Sequence, residues 1–531
     1  MKNKVLCLLL LLVTVSSVRV IAIDKLITDY GAIADGRTNN AKFIQKAIDE
    51  VSAAGGGKVI IPPGLFMSGS LLLKSGVNLY VTLGACLLGS HSVNDYIKLA
   101  GRAALVLANG QHHIAISGEG IIDGQGQELM LDVFRRSRSG ELKQDPIWLV
   151  KRPESGRALV LYFKGCTDVS VTDITLKNAS NWVQDYKECD RVVVNRITVQ
   201  STAYWNNDGL DITDSRNVRI TNCFINATDD AICLKSENPK SSCENIYIDS
   251  CTLRSSANGL KFGTANFGGF RNIKIRNLTI YDTYRSAIAL ESVDGGFMEN
   301  IDIQYVDAKN TGNAIFIRRG HRNKTGAVGT IKGIYIANVK VQVPLLKPDQ
   351  GYPIEGPPDH LHPGFDKMPE RPSSFHIYGH PFLPYNLVPS SIVGIPGYPV
   401  EDVMLENIEI SYGGKASKEI AYIPLDKIIT VPENEAGYPE FSMFGELPCW
   451  GFYIRHAAGI KMKNVKLSFV EDDFRPSMVI DDVKGIDLTG LKIPSGREMP
   501  VILLNNTANV ITKNLQLPVS EAKGVLKTDY K

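Results

Sequence analysis

The residues best suited to chemistry lie in the segment NNDGLDITDSRNVRITNCFINATDDAICLKS, positions 206–236, which carries Asp208, Asp211 and the adjacent pair Asp229 and Asp230. Carboxylates flanked by apolar residues repel one another, and at least one of a close group must keep its proton near neutral pH. A protonated acid beside ionised ones suits acid–base catalysis. One group protonates a leaving oxygen while another activates water, the division of labour that glycoside hydrolysis requires. The bland alternative is a polar turn of a folded repeat, but ladders of that kind use neutral amides. With Asp229 21 positions after Asp208, only tertiary structure can bring these acids together.

The elements that would do so are legible as a repeat. A nine-residue pattern recurs: any residue, apolar, any, apolar, any, often Asn, apolar or Cys, any, apolar. Copies begin at Asp168, Arg191, Asn217, Asn245, Asn272, Asn300, Gly333, Asp402, Gly459, Gly485 and Asn509, the early ones 23–28 residues apart. Apolar alternation signals a strand, and an Asn or Gly bend starts a second one. A third short strand follows the early copies, in GLDI, AICL, GLKF, AIAL and AIFI. Three short strands per repeat of about 25 residues predict a parallel β-helix, in which each coil buries its apolar face by stacking on its neighbours.

Aligning the third strands places Asp208, Asp230, Asn258, Ser286 and Asn313 in one column, and Asn207, Asp229, Ala257, Arg285 and Gly312 in the one before. Coils stack about 4.8 Å apart, so Asp208, Asp229 and Asp230 should share one patch. At the N-terminal end, Thr38 or Asn39 can cap a helix whose face of Phe43, Ile44, Ala47, Ile48 and Val51 would cover the first coil, with Gly55–Gly57 ending it. Two segments, around 345–400 and 415–450, break the repeat and read as long loop insertions.

Other features bound the possibilities. The net charge is +2 with Lys and Arg scattered, which gives no nucleic-acid footprint. Lys2 and Lys4 precede an apolar run from Val5 to Val18, which reads as a cleavable signal peptide over 1–22 and not as a membrane span. A single domain over 23–531, periplasmic or secreted and monomeric, is expected. The cysteines after Cys7 show no zinc spacing. Stacked core thiols are expected, with Cys223 over Cys251 and Cys166, Cys189 and Cys243 in successive coils. His360, His362, His376 and His380 crowd the first insertion without a carboxylate–histidine spacing that would support a metal. No cofactor is implied.

The chain resembles glycoside hydrolase family 28, the polygalacturonase family. The opening ITDYGAIADGRTNN with GGGKVIIPPG resembles that superfamily's usual start, and NNDGLD followed by DDAICLKS resembles the family's catalytic motifs, with Asp211 and Lys235 in place. The resemblance implies a right-handed parallel β-helix, all-β and pectin-lyase-like, with an N-terminal capping helix. It implies Asp229 as the general acid, Asp208 and Asp230 handling water with inversion, and Asn206 and Lys235 in the substrate site. Two motifs depart from the family. Ala257-Asn258-Gly259 replaces Gly-His-Gly, and Ala289-Leu290-Glu291 replaces the Arg-Ile-Lys that binds a uronic carboxylate. Lys261, Arg285, Arg318, Arg319 and His321 are the candidate replacement cations, and Lys261, Glu291 and Arg318 join Asn206, Asp211, Lys235 and Asn258 as expected substrate-binding residues. The expected substrate is a pectin-like polysaccharide or oligosaccharide, cleaved from a chain end if the insertions close one end of a groove. A polysaccharide lyase on the same fold and a non-catalytic carbohydrate-binding solenoid are the alternatives.

Aromatic residues add weaker signals. Trp182, Tyr204 and Trp205 precede the acidic coils and could stack on sugars. Trp450, Phe452, Tyr453 and His456 are better read as coil packing.

Overall fold

The alternation of apolar and polar residues has the outcome it predicts. In the computed structural model, residues 22–530 are described apart from 143–155, 203–205, 324–325, 346–347, 349–384 and 497–499. Each strand pairs in parallel with the strand one coil further on, as Asp190–Asn195 does with Arg216–Thr221 and Leu210–Thr213 with Ile232–Ser236. Side chains of alternate residues point to opposite faces of a strand. Leu210, Ile212, Ile232, Leu234, Leu260 and Phe262 therefore fill one continuous interior with the apolar residues of the other two strand columns. The fold is a parallel β-helix. Among the described residues the pairing Lys98–Leu99 with Arg102 and Ala103 is antiparallel.

Each nine-residue copy turns two corners. Its first and sixth residues adopt left-handed backbone, as in Asn217 and Asn222 (φ 55° and 56°), Asn272 and Asn277 (φ 55° and 52°), and Gly459 and Asn464 (φ 69° and 52°). Asn tolerates this region because its short amide bonds locally, and glycine has no Cβ to clash. The first position, which looks open to any residue in the sequence, is thus restricted. Asparagines stack along it: Asn245 donates to Asn217 at 3.2 Å, Asn272 to Asn245 at 3.3 Å, and Asn300 to Asn272 at 2.8 Å. Each such bond contributes about 1 kcal/mol and fixes the register of one coil on the next.

The cap is present. Ala41–Ala53 is a helix that buries Ile44, Ala47, Ile48 and Val51, with Phe43 packed at the edge. Asn40 takes the capping position, one residue later than expected, while the Asn39 amide oxygen accepts the Ala41 N–H at 3.0 Å. A second helix, Gly126–Ser139, buries Leu129, Met130, Val133 and Phe134. It lies between strand copies and has no counterpart in the repeat, so a reading by period passes over it. The first insertion is shorter than its expected 345–400, because Ser390–Val393 is a coil strand paired with Phe316–Arg318 on one side and Phe452–Arg455 on the other. Most of that insertion, with His360, His362, His376 and His380, lies outside the described residues, as do Tyr204, Trp205 and positions 1–21.

The outer face of the strand column that carries the acids changes character along its length. Successive coils present Asp185, Asp211, Cys233 and Lys261 in register, then Ala289, Phe316, Ser391, Tyr453, Val479 and Leu503. Charged coils give way to apolar ones. Residues around 388 and 423–447 fold back over the apolar half: Val388, Ile428, Val431, Phe444 and Leu447 pack on Ala289, Phe316, Tyr453, Val479 and Leu503. Burying such side chains stabilises by about 1.5–3 kcal/mol each, which seats this segment as a wall immediately past the acids.

Candidate active site

Asp208 and Asp230 stand two residues before Leu210 and Ile232, which pair across coils. Asn258, Ser286 and Asn313 continue the column, as the expected alignment has it. A small residue follows each of the five: Gly209, Ala231, Gly259, Ala287 and Ala314. The interior leaves no room for more at the first of these. A Cβ on Gly209 would lie 2.3 Å from Ile225 Cγ2 and 2.7 Å from the Ala231 carbonyl. This close approach draws the turn inward and sets Asp208 against its neighbour on the next coil. One carboxylate oxygen each of Asp208 and Asp230, and the Cys233 sulfur, all lie within 4.8 Å of one another.

Asn206, itself in left-handed backbone (φ 58°), ties two acids together. Its Nδ2 donates to Asp208 Oδ1 at 3.3 Å and to Asp229 Oδ2 at 3.2 Å, and its Oδ1 accepts from Arg157 Nη2 at 2.8 Å. Asp230 is held from the other side. The Asn258 amide N–H donates to Asp230 Oδ1 at 3.1 Å and its side-chain Nδ2 at 2.8 Å, while Lys261 Nζ lies 3.1 Å from Oδ2. Lys235 bridges Asp208 Oδ2 at 2.6 Å and the fully buried Asp211. Asp229 is 7% exposed against 3% for Asp208 and Asp230, so it presents the most surface of the three.

These surroundings divide the acids electrostatically. Burial pushes Asp208 up to about 7, with Lys235 opposing and Asp229 and Asp230 assisting. Burial also penalises charge on Asp230, but Lys261, Lys235 and Arg285 together outweigh it and hold that carboxyl below its usual range. Burial alone would lower Lys235 and Lys261. Asp208 with Asp211 in the first case, and Asp230 with Glu291 in the second, keep them charged.

The remaining expected site residues separate into two groups. Glu291 joins the cluster: its Oε2 lies 3.9 Å from Lys261 Nζ and accepts from Thr264 at 3.2 Å, and burial pushes it up to about 7 against the pull of Lys261. Arg318 does not. Its guanidinium donates to the carbonyls of Gly394 at 2.8 Å and Glu433 at 2.7 Å, pinning the wall to the coil beneath. Arg319 donates to the Pro399 carbonyl, and the His321 ring pairs with the Gly326 carbonyl at 3.0 Å. Trp182 borders the site, with the Lys235 ammonium 3.9 Å and the Arg102 guanidinium 4.3 Å from its ring. Trp450, Phe452 and Tyr453 are buried coil packing, and His456 sits between Asp482 at 2.6 Å and Glu433 at 3.1 Å.

Several contributors carry no sequence signal. Arg157, behind Asn206, precedes the strand Ala158–Lys164 outside any repeat copy. Tyr438 and Glu440 come from the wall. The Tyr438 hydroxyl lies 3.4 Å from Lys261 Nζ, and Glu440 lies 3.4 Å from the Arg285 guanidinium. Asp185 could have been found from the register, since it stacks on Asp211 and pairs with Arg102 at 2.6 Å.

The family model of Glycosyl hydrolases family 28 matches residues 57–343, more than half of the chain and all three central acids. The chain belongs to glycosyl hydrolase family 28. Its similarity to individual family 28 proteins is distant. A Vitis vinifera protein named "Probable polygalacturonase" is 25% identical over 335 residues, 60% of each chain. The exo-poly-alpha-D-galacturonosidase of Dickeya chrysanthemi is 28% identical over 247 residues, 39% of this chain and 41% of that one. The chain thus spans about three-fifths and two-fifths of these two relatives. Among solved structures, the hyperthermoactive exopolygalacturonase of Thermotoga maritima aligns with a TM-score of 0.57 at 21% identity, covering 74% of this chain and 88% of that one. The family 28 exopolygalacturonase of Yersinia enterocolitica aligns at 0.53 and 17% identity, covering 93% and 77%. These two share the fold.

Asn258 supports Asp230 through two neutral hydrogen bonds. All eight described cysteines are free thiols. Cys223 stacks on Cys251 and Cys166 on Cys189, as expected, but Ser215 occupies the coil between Cys189 and Cys243. The three are therefore not in successive coils.

Proposed function

We propose that this protein is a polygalacturonase-type glycoside hydrolase that cleaves glycosidic bonds in pectin-like polysaccharides or oligosaccharides, with inversion and from a chain end. The observation that carries the reading is the convergence of Asp208, Asp229 and Asp230 from two coils, each in a different electrostatic setting. Asp229 touches no ammonium among the described contacts and presents the most surface, which suits the acid that protonates the leaving oxygen. Asp230, kept ionised by Lys261, is the base that takes a proton from water. Asp208 shares that water, since the two carboxylates are close enough to hold one molecule between them, and water attacking from that side inverts the anomeric carbon. Asn206 positions Asp208 and Asp229 relative to each other.

The exo preference draws on the wall, which covers the outer face from Ala289 onward. Export as a periplasmic or secreted protein, after removal of an N-terminal signal, draws on the apolar run before position 22. No described helix is long and apolar enough to cross a membrane. A monomer suffices, because every group named above comes from one chain.

Asp229→Asn tests the reading on reducing-end-labelled pectic oligosaccharides. The expected loss in kcat is about 10³-fold with an unchanged melting temperature. A near-normal rate would remove Asp229 from its role. The same digests report exo or endo action from the product ladder, and proton NMR of the first product reports its anomeric configuration.

A further inference from the structure

We infer that the sugar unit bound on the Lys261–Glu291 side of the acids is uncharged, so the cleaved bond joins at least one neutral glycosyl residue. This rests on the hydrolase reading above and narrows its substrate class. Recognition of a uronate calls for a cation whose donors are open to a carboxylate, best as a charge-assisted pair. Lys235, Lys261, Arg285, Arg318 and Arg319 each already have a partner and are buried. Lys235 holds Asp208 and Asp211. Lys261, 2% exposed, lies 3.1 Å from Asp230 and 3.9 Å from Glu291. Arg285, 3% exposed, faces Glu440 at 3.4 Å. Arg318 and Arg319 are spent on carbonyls of the segment that follows.

A uronate would have to displace one of these buried partners. It would also add a negative charge beside Asp229, Asp230, Glu291 and Glu440. Glu291, protonated or ionised, supplies no positive charge here. Ala289, one coil past Lys261 in register, is fully buried under the wall. A neutral sugar asks for something this corner does offer. Tyr438 is 46% exposed, with its hydroxyl 3.4 Å from Lys261, so it presents a ring face and a hydroxyl beside the acids.

The test is digestion of a matched panel by the intact mature protein: oligogalacturonides, their carboxyl-reduced counterparts, and rhamnogalacturonan fragments in which uronate and neutral units alternate. Mass spectrometry of the products identifies the two sugars that flanked each cleaved bond. Bonds with a neutral flanking unit are expected to be cleaved with kcat/KM at least about tenfold above uronate–uronate bonds. Equal or faster cleavage of uronate–uronate bonds overturns the inference and leaves the hydrolase reading standing. No cleavage of any member removes that reading, and the inference with it. Glu440→Gln and Glu291→Gln, which remove a negative charge beside Arg285 and beside Lys261 respectively, are each expected to raise relative turnover of the uronate–uronate bond several-fold, with melting curves confirming that they fold. An unchanged ratio in both overturns the assignment of Glu291 and Glu440 as the charges that exclude a uronate.

Discussion

The Asp229 carboxylate accepts the backbone N–H of Asp230 at 3.0 Å. Two acids adjacent in the chain are thereby held by different coils. Asp229 leans toward Asn206 on the coil before, and Asp230 toward Asn258 and Lys261 on the coil after. Repulsion between neighbours in sequence becomes a division of roles in space, and several expected outcomes depend on that division.

The acidic limb of the pH–rate profile should belong to Asp208. Its carboxyl, pushed up to about 7 by burial, is restrained from rising further by Lys235. If Asp208 must be ionised to hold water, the rate falls as pH drops through about 7. Lys235→Gln removes the restraint and should move that limb upward by about one unit or more. The profile of kcat/KM against pH reads this directly, and an unmoved limb assigns it to another group.

Stability should also depend on pH, in a direction set by the same burial. Asp208 and Glu291 both reach about 7 when folded, above the ordinary range near 4 in an unfolded chain. Between those values the folded state binds more protons than the unfolded state, so stability falls as pH rises from about 4 to about 7 and then levels off. The decline should be on the order of a few kcal/mol. Melting temperatures between pH 4.5 and 8 should show it, and Glu291→Gln should flatten it.

Gly209→Ala should damage both fold and site. The added methyl meets Ile225 and the Ala231 carbonyl, and overpacking of this kind costs about 1–3 kcal/mol. Urea denaturation measures the cost. A rate loss larger than any seen for Ala231→Gly would show that the methyl displaces Asp208.

Arg318→Ala should loosen the wall before it affects sugar binding. Its bonds to Gly394 and Glu433 join strand and wall, so hydrogen exchange across 425–435 should accelerate at least about tenfold. A raised KM without faster exchange would return Arg318 to the substrate site.

The repeat made most of this frame legible. Periodicity alone placed Asp208 and Asp230 in one column, because a parallel coil repeats its side-chain direction once per turn. The wall was less legible. Tyr438 and Glu440 reach Lys261 and Arg285 across more than 150 residues of chain, and no local pattern encodes such a contact. The role of Arg318 is illegible for a related reason. Its coil and outward direction suited a substrate contact, but the segment that covers it follows no period. Glu291 lies in the cluster, where it forms a charge pair with Lys261 at 3.9 Å.

The asparagine ladder that locks one coil to the next runs through Asn217, Asn245, Asn272 and Asn300, at a corner that carries no acid of the site. Height and register are therefore fixed by one set of residues, and what the groove meets is decided by another. Asn258, Ser286 and Asn313 answer to both, because each also bonds to the next coil, so a change at one of them is felt at its neighbour.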